Sequence, residues 1–395
     1  MSLVKTRMVD QIAVLEIDSP PVNALSAQLR SDMISALQAL QQQVKLQAIV
    51  LHCAGSTFIC GADIREFDGE PLAPHLPELI ALLEGSSVPV VALLHGHVLG
   101  GGLEVAAACH YRVALKSTSV GLPEVGLGVV PGAGGCQRMM RLVGVEEAVK
   151  LATSGRAVKV TDSRYALLCE QLVDSGDDLL EQGMAWIQQQ LADNSLSIKS
   201  TSELALDNAA EKIDWQLLKK QVQRSAKSNT APIKLLHQLE KNWPLSVQQG
   251  EKQTRELFLQ LRQSSEAKAL RYAFFSEKKM QAGGSQQTFT ISEVAVIGAG
   301  TMGSAIAICF ADAGFKVILL EQSQQALERG LKRIEEQYQR SCKSGRISQA
   351  QMDQRLAAIQ GSCEYVSISN VDLVIEAAFE SLQVKQAIFK SLDSV

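Results

Sequence analysis

The chain has 395 residues, of which 46% are hydrophobic and 20% are charged, and its formal net charge at pH 7 is -4. This composition predicts a globular protein, and the lack of a basic excess argues against a nucleic-acid partner. The eight cysteines form no CxxC pair and the six histidines have no metal-ligand spacing, so we expect free thiols and no metal site. The pair in His95-Gly96-His97 is expected to be structural.

Two stretches bear on membrane association. Residues 1–10 lack the apolar centre of a secretory signal. Residues 294–311 carry no charge, but their three glycines favour a buried strand, turn and helix over a membrane span. We therefore expect a soluble protein without membrane insertion.

The first half of the chain alternates strand and helix signals. Residues 11–18 partly alternate apolar and polar side chains, as a half-buried strand does, and residues 26–43 have helical periodicity. Short apolar runs predict buried strands at 48–52 and 88–94, and residues 112–120 are another strand candidate. This alternation predicts an α/β domain.

The second half begins with a mostly helical region, from residue 179 to about 279. The polar stretch AGGSQQTFT, residues 282–290, then predicts a boundary. A βαβ pattern follows it, with a strand at 293–297, a helix to about residue 313 and a strand at 316–320. The predicted domains are an α/β core at 1–190, a helical extension with a linker helix at 191–281, and a nucleotide-binding segment at 291–395.

A glycine-rich turn is the first sign of chemistry. In HGHVLGGGLEVAAACHYRV, residues 95–113, an apolar strand enters three glycines, and a helix is expected from about Leu103 with Glu104 in its first turn. The N–H groups at such a helix end can hold a developing oxyanion. Taken alone, Glu104 could simply complement the helix dipole.

Three other segments make that pattern specific. CGADI, residues 60–64, follows a predicted strand and a loop and could present a second amide. GLPE places a further carboxylate at Glu124, and PGAGG, residues 131–135, precedes a helix that runs through Gln137 and Arg138. Each segment is weak alone, but their order and separations together are highly specific.

With PPVNALS at 20–26, these segments resemble the crotonase (enoyl-CoA hydratase/isomerase) family. The resemblance implies a crotonase-like spiral α/β domain with a helical tail, and an acyl-CoA thioester oxygen held between the N–H groups of Ala62 and Gly101. It also implies that Glu104 and Glu124 are catalytic. Segments matching stretches that contact CoA predict substrate binding at Ala24, Leu25, Ser26, Gly61, Asp63 and Ile64.

The chemistry agrees with this resemblance. Water adds to C3 of a 2-enoyl thioester only if the negative charge that builds on the thioester oxygen is stabilised. One carboxylate must take a proton from water while the other acid delivers one to C2. The resemblance assigns water activation mainly to Glu104 and protonation of C2 mainly to Glu124. There are two alternatives. The protein could be mainly a 3-enoyl to 2-enoyl isomerase, or it could be a non-catalytic module that binds acyl-CoA or NAD.

A second glycine pattern, VIGAGTMGSAIA at residues 296–307, lies between a predicted strand and a predicted helix, as a dinucleotide fingerprint requires. Glu321 ends the next strand, where an acid binds ribose hydroxyls and disfavours the 2′-phosphate of NADP. The sequence therefore predicts NAD as the cofactor.

Residues 293–395 resemble the NAD-binding half of 3-hydroxyacyl-CoA dehydrogenases. The resemblance predicts cofactor contacts at Gly298, Gly300, Thr301, Met302, Gly303, Glu321, Glu380 and Lys385. In that family the catalytic histidine comes later, whereas the last histidine in this chain is His237. We therefore expect a partial Rossmann-type domain, cut off from the rest of a longer protein, that binds NAD without dehydrogenase turnover.

The order of these parts resembles the multifunctional β-oxidation enzymes, including a connecting helix at residues 264–279. The compact linker resembles the monomeric peroxisomal type, so a monomer is favoured, with a homo-oligomer as the alternative. The expected compartment is the cytoplasm if the protein is bacterial and the peroxisome if it is eukaryotic. Acyl chain length cannot be read from the sequence.

Overall fold

The computed structural model describes residues 2–176, 178–206, 213–282 and 290–395. Two compact units, Met1–Gly283 and Gly284–Val395, divide the chain and are described separately. Most of the predicted linker at 282–290, namely residues 283–289, lies outside the described residues.

The described part of the first unit contains nine strands and ten α-helices. Its strands are β1 (Val4–Val9), β2 (Ile12–Ile17), β3 (Ala48–Cys53), β4 (Val90–Leu94), β5 (His97–Leu99), β6 (Tyr111–Leu115), β7 (Ser119–Gly121), β8 (Val158–Lys159) and β9 (Gln171–Val173). Its helices are α1 (Ala27–Leu40), α2 (Leu76–Glu84), α3 (Gly101–Ala108), α4 (Gly135–Val143), α5 (Val145–Ser154), α6 (Leu179–Ala192), α7 (Trp215–Ala226), α8 (Ala231–Asn242), α9 (Val247–Arg262) and α10 (Ser265–Ala282).

The larger sheet has the order β1-β2-β3-β4-β6-β9. Its β1–β2 pair is antiparallel and the following pairs are parallel. Both faces are buried, because alternate residues of β2 enter different clusters: Leu15 packs with α1 and its neighbours, whereas Val14 packs with Leu179 and Ile187 of α6. Burial on both faces explains why these strands read as continuous apolar runs.

A smaller sheet brings the glycine-rich turn into place. In it β5 pairs with β7 in parallel, and β7 pairs with β8 in antiparallel. The single strand predicted at 112–120 is therefore wrong, because β6 and β7 belong to different sheets. The polar residues between them, Lys116 and Ser117, form the turn at which the chain changes sheet.

The described part of the second unit is a four-stranded parallel sheet with helices. Its elements are β10 (Glu293–Ile297), α11 (Thr301–Asp312), β11 (Lys316–Leu320), α12 (Gln324–Lys343), α13 (Gln349–Ala357), β12 (Ile359–Ser362), β13 (Leu373–Glu376) and α14 (Leu382–Leu392). The strand order β12-β11-β10-β13 places the first strand between the second and the fourth. This is the order of a Rossmann-type nucleotide-binding half, whose ligand lies beyond the carboxyl ends of the strands.

Two sequence-based expectations can be checked across the chain. All eight cysteines are free thiols, as predicted. Among the described residues, no helix combines the length and apolar character that crossing a membrane would require.

Candidate active site

A cavity of about 140 Å³ in the first unit brings the predicted catalytic residues together. Glu104 and Glu124 both line it, and so do Ala62 and Gly101. The four residues come from three separate stretches of chain that meet where β5 and β7 end.

The turn into α3 positions the amide of Gly101. Gly100 has a φ of 51°, which side-chain-bearing residues rarely adopt, and its N–H donates to the carbonyl of Gly121 at 2.8 Å. Helix α3 then begins at Gly101, slightly before the expected Leu103. The first N–H groups of a helix have no partner within it, so the N–H of Gly101 is available to a ligand.

The second amide, that of Ala62, is held beside the first by backbone pairing. Isolated parallel bridges join Cys60 to Leu99 and Leu25 to Ala62. A Cβ built on Gly101 would lie 3.5 Å from the nitrogen of Ala62, so the two peptides are close neighbours. Among the hydrogen bonds between described residues, neither N–H is a donor.

Glu104 is 3% exposed, and backbone amides anchor its carboxylate. Its Oε1 atom accepts hydrogen bonds from the N–H groups of Ala133 at 2.8 Å and Gly135 at 2.9 Å. The second of these amides opens α4. Burial raises the pKa of Glu104, and the two N–H groups oppose that rise because they favour the ionised form.

Glu124 lies in a one-turn 3-10 helix, Pro123–Leu127, against the Gly100 turn. Its Oε2 atom is buried and has no hydrogen-bond partner among the described residues. Burial raises the pKa of Glu124 well above its usual range, and the nearby charge of Glu104 raises it further. Of the two carboxyls, that of Glu124 has the more strongly raised pKa.

The residues predicted to contact substrate divide into two groups. Gly61 and Ile64 line the cavity with Ala62, whereas Ala24, Leu25, Ser26 and Asp63 do not. Three of these four have structural contacts. Leu25 is fully buried, Ser26 caps α1 by accepting from the N–H of Leu29, and Asp63 pairs with Arg65 at 2.7 Å.

Several cavity residues were not predicted, because they come from α9, more than a hundred residues further along the chain. Arg255, Phe258 and Arg262 line the cavity, and the guanidinium of Arg255 lies 5.1 Å from the centre of the Phe258 ring. Arg262 donates to the carbonyls of Glu66 and Phe67, both at 2.8 Å, and so holds the opposite wall.

The predicted dinucleotide site lies beyond the carboxyl ends of β10 and β11. Gly298 has a φ of 105° and its N–H donates to Leu320 at 2.7 Å, which fixes the turn to the neighbouring strand. A Cβ on Gly300 would meet no atom within 4 Å, so the backbone leaves an open space at the N-terminus of α11. A pyrophosphate fits such a space, and Thr301 and Met302 are exposed beside it.

Glu321 is placed where an acid could bind ribose hydroxyls. Its Oε2 atom accepts from the N–H of Ala299 at 2.8 Å, so the carboxylate lies directly at the fingerprint turn. The turn also needs Gly303, because a Cβ there would lie 1.7 Å from the carbonyl oxygen of Gly298. These features fit NAD, whose chemistry when bound would be to accept hydride.

The other predicted cofactor residues cluster after β13. Lys385 forms ion pairs with Glu380 at 3.1 Å and with Glu376 at 2.6 Å. Glu376 was not predicted as a site residue. It ends β13, and its hydrogen bond with Lys385 lowers the pKa of its carboxyl.

Two family models match this chain. The family model described as enoyl-CoA hydratase/isomerase matches residues 7–230. The chain belongs to the enoyl-CoA hydratase/isomerase family. A second family model, the NAD-binding domain of 3-hydroxyacyl-CoA dehydrogenase, matches residues 293–395. The predicted fold class, a crotonase-like α/β unit followed by a Rossmann-type NAD-binding unit, is confirmed.

Relatives of this family share the order of the two units. The peroxisomal bifunctional enzyme of Danio rerio is 33% identical over 395 residues, covering 97% of this chain and 54% of that protein. The enzyme of that name from Homo sapiens is 34% identical over 407 residues, covering 99% of this chain and 55% of that protein. The chain thus spans about half the length of these relatives.

Solved structures support the fold of the first unit. Carnitinyl-CoA hydratase from Mycobacterium avium superposes with a TM-score of 0.52 at 24% identity, covering 70% of this chain and 97% of that one. At this level of identity the likeness speaks for the fold alone.

Proposed function

We propose that the first unit is a 2-enoyl-CoA hydratase, which adds water to a trans-2-enoyl-CoA and yields a 3-hydroxyacyl-CoA. The observation that carries this proposal is the meeting of Glu104 and Glu124 in one cavity with the amides of Ala62 and Gly101. A non-catalytic acyl-CoA binding module would need neither buried acid.

The thioester oxygen would accept hydrogen bonds from both amides, because negative charge develops on that oxygen when a nucleophile adds to C3. Losing one such donor typically costs about 2.7–4 kcal/mol of transition-state stabilisation. Amides fixed by backbone pairing need no rearrangement during the reaction, and this supports their role.

The two carboxyls suit different proton transfers. Glu104, ionised with the help of two backbone N–H groups, would take a proton from water as the oxygen attacks C3. Glu124, which burial and the neighbouring charge keep protonated, would deliver a proton to C2. With both acids on one side of the substrate, addition would be syn. Transfer of the proton from Glu104 to Glu124 would then restore the starting state.

Hydration can be measured directly with crotonyl-CoA, as loss of the conjugated enoyl-thioester absorbance. We expect turnover by the unaltered chain and almost none by Glu124→Gln, while the exposed control Glu181→Gln keeps full activity. Equal activity of Glu124→Gln and the unaltered chain would overturn the proposal.

An isomerase reading is supported by a single observation, the unpartnered Oε2 of Glu124, which alone could move a proton between C2 and C4 of a 3-enoyl thioester. The variant Glu104→Ala distinguishes hydration from isomerisation. Loss of hydration with isomerisation retained would show that isomerisation is an independent activity of the site.

For the second unit we propose NAD binding by the fingerprint residues Gly298, Gly300 and Gly303 with Glu321, and by Glu380 and Lys385. No histidine follows His237 in this chain, so the usual base for oxidising a 3-hydroxyl is not among its residues. We expect NADH to bind, but we expect no reduction of NAD with 3-hydroxybutyryl-CoA. Reduction by this chain would show that another base is present.

We also propose that the protein acts on acyl-CoA in fatty-acid β-oxidation and that it is a monomer. The proposed compartment is the peroxisome if the protein is eukaryotic and the cytoplasm if it is bacterial. The name of the relatives, peroxisomal bifunctional enzyme, and the shared order of domains support the metabolic role and the peroxisomal compartment. Mass measurement in solution tests the oligomeric state.

A further inference from the structure

A buried arginine lies directly behind Glu104. The side chain of Arg138, on α4, is 4% exposed and pairs with Glu84 at 2.6 Å and with Glu251 at 3.3 Å. It lines a second cavity, of about 520 Å³, which Glu84, Glu251 and Arg255 also line. Arg255 lines the substrate cavity as well, so the two cavities share a wall.

The backbone of one residue, Ala133, connects this arginine to the candidate base. Arg138 Nη1 donates to the carbonyl oxygen of Ala133 at 3.1 Å, and the N–H of Ala133 donates to Glu104 Oε1 at 2.8 Å. The guanidinium also packs against the next residue, because a Cβ on Gly134 would lie 2.1 Å from Arg138 Nη1. A shift of Arg138 would therefore move the turn that supplies both hydrogen bonds to Glu104.

We propose that Arg138 is a positioning residue for the proposed hydration: its guanidinium fixes the turn at residues 133–135, whose two amides hold the carboxylate of Glu104. The inference rests on the proposed function but concerns residues that neither touch the thioester nor belong to the oxyanion site. Glu84 and Glu251 hold the guanidinium of Arg138 from α2 and α9, and the charge of Glu251 also acts directly on Glu104.

Charge makes this arrangement testable. The titratable and charged groups around Glu104 are Glu84, Glu124, Cys136, Arg138, Glu251 and Arg255. Burial raises the pKa of Glu104 most, Glu251 raises it further, and Arg138 lowers it. Removing Arg138 and removing the charge of Glu251 should therefore move the ionisation of Glu104 in opposite directions.

The experiment compares Arg138→Met, Arg138→Lys and Glu251→Gln in the full chain. The pH profile of crotonyl-CoA hydration is measured, and the carboxyl carbon of Glu104 is titrated by NMR in protein labelled with ¹³C-glutamate. That resonance is assigned by its loss in Glu104→Gln. The titration needs no turnover, so it still tests this inference if the unaltered chain fails to hydrate and the proposed function falls.

We expect Arg138→Met to move the acidic limb of the profile, and the Glu104 titration, to higher pH by about one unit or more. Its kcat should fall about tenfold or more, with a smaller change in KM. Glu251→Gln should move both to lower pH. Arg138→Lys keeps the charge but not the planar fork, so it should recover part of the pH profile while kcat remains low.

Should Arg138→Met fail to fold, Arg138→Lys decides the matter. If the lysine variant has the kcat and the Glu104 titration of the unaltered chain, the fork does not position Glu104 and the inference is wrong. A folded Arg138→Met with an unchanged profile and titration would overturn it equally.

Discussion

Glu104 and Glu124 share the wall of one cavity, but their carboxyls differ in their hydrogen-bond partners. Glu104 accepts two backbone hydrogen bonds through Oε1, whereas Oε2 of Glu124 is buried without a partner. Burial raises the pKa of both groups, and that of Glu124 the more strongly. This asymmetry, rather than the mere presence of two acids, supports a division into base and acid.

The raised pKa of Glu124 predicts how stability depends on pH. An acid whose pKa is higher in the folded state stabilises the protein fully below its ordinary pKa, and that contribution is lost as the pH rises through the folded value. The side chain of Glu124→Gln does not ionise, so this variant does not lose stability in this way as the pH rises. Its stability relative to the unaltered chain should therefore increase by up to about 1.4 kcal/mol per pH unit above the ordinary pKa of glutamate.

Urea unfolding followed by tryptophan fluorescence measures this effect. All three tryptophans, Trp186, Trp215 and Trp243, lie in the first unit, so the signal reports that unit alone. The exposed control Glu181→Gln should follow the unaltered chain at every pH. A constant difference between Glu124→Gln and the unaltered chain from pH 5 to 8 would contradict the expectation.

Gly101→Ala should impair the oxyanion site. The added Cβ would lie 3.0 Å from Leu76 Cδ2, 3.2 Å from Leu25 Cδ1 and 3.5 Å from the nitrogen of Ala62, so the methyl group would crowd the space beside the two amides. We expect kcat to fall by about a hundredfold, as when one oxyanion donor is lost. Gly176→Ala is the matched control, since a Cβ there meets no atom within 4 Å. If kcat is unchanged in Gly101→Ala, the N–H of Gly101 does not stabilise the oxyanion.

Gly300→Ala should weaken NADH binding while leaving the second unit folded. The space above Gly300 is free of protein atoms, so the methyl group would compete with the pyrophosphate and not with the fold. Titration with NADH, followed by its own fluorescence, measures the affinity, and circular dichroism checks folding. Gly303→Ala gives the contrast, because its Cβ overlaps the carbonyl of Gly298 and should unfold the turn. If Gly300→Ala and the unaltered chain bind NADH with equal affinity, the pyrophosphate does not bind beside Gly300.

Glu321 should select NADH over NADPH. Its carboxylate lies at the fingerprint turn and would repel a 2′-phosphate while accepting hydrogen bonds from ribose hydroxyls. Glu321→Ala should narrow the ratio of the two affinities by at least about tenfold. The ratio of NADH to NADPH affinity is measured by letting NADPH compete with bound NADH. If the substitution leaves this ratio unchanged, Glu321 does not select between the two nucleotides.

Much of the site was predictable because it is carried by local motifs. The strands at 293–297 and 316–320 match the structure residue for residue, since each is a short apolar run bounded by polar or glycine residues. The glycine-rich turns likewise placed Glu104, Glu124 and both amides in one cavity. Which of these groups perform the chemistry remains a prediction.

Other features depend on tertiary contacts that no short stretch encodes. Residues 112–120 can be interpreted as one strand from the sequence, but the sheet change at Lys116 depends on pairing with β5 and β9. Arg255 and Phe258 have ordinary helical spacing, and nothing in that spacing indicates that α9 closes the cavity. The link from Arg138 to Glu104 passes through the backbone C=O and N–H of Ala133, and backbone groups have no sequence signature.

Backbone bridges join Leu25 to Ala62 and Cys60 to Leu99. The main chain and the side chains of this unit therefore have different proposed roles. In the proposed mechanism the thioester is held by main-chain groups, and substitutions that keep the local backbone path would leave that contact intact. The reaction would be selected by two side chains, each encoded by one codon. Such a scaffold can exchange one chemistry for another during evolution while it goes on recognising the same class of ester.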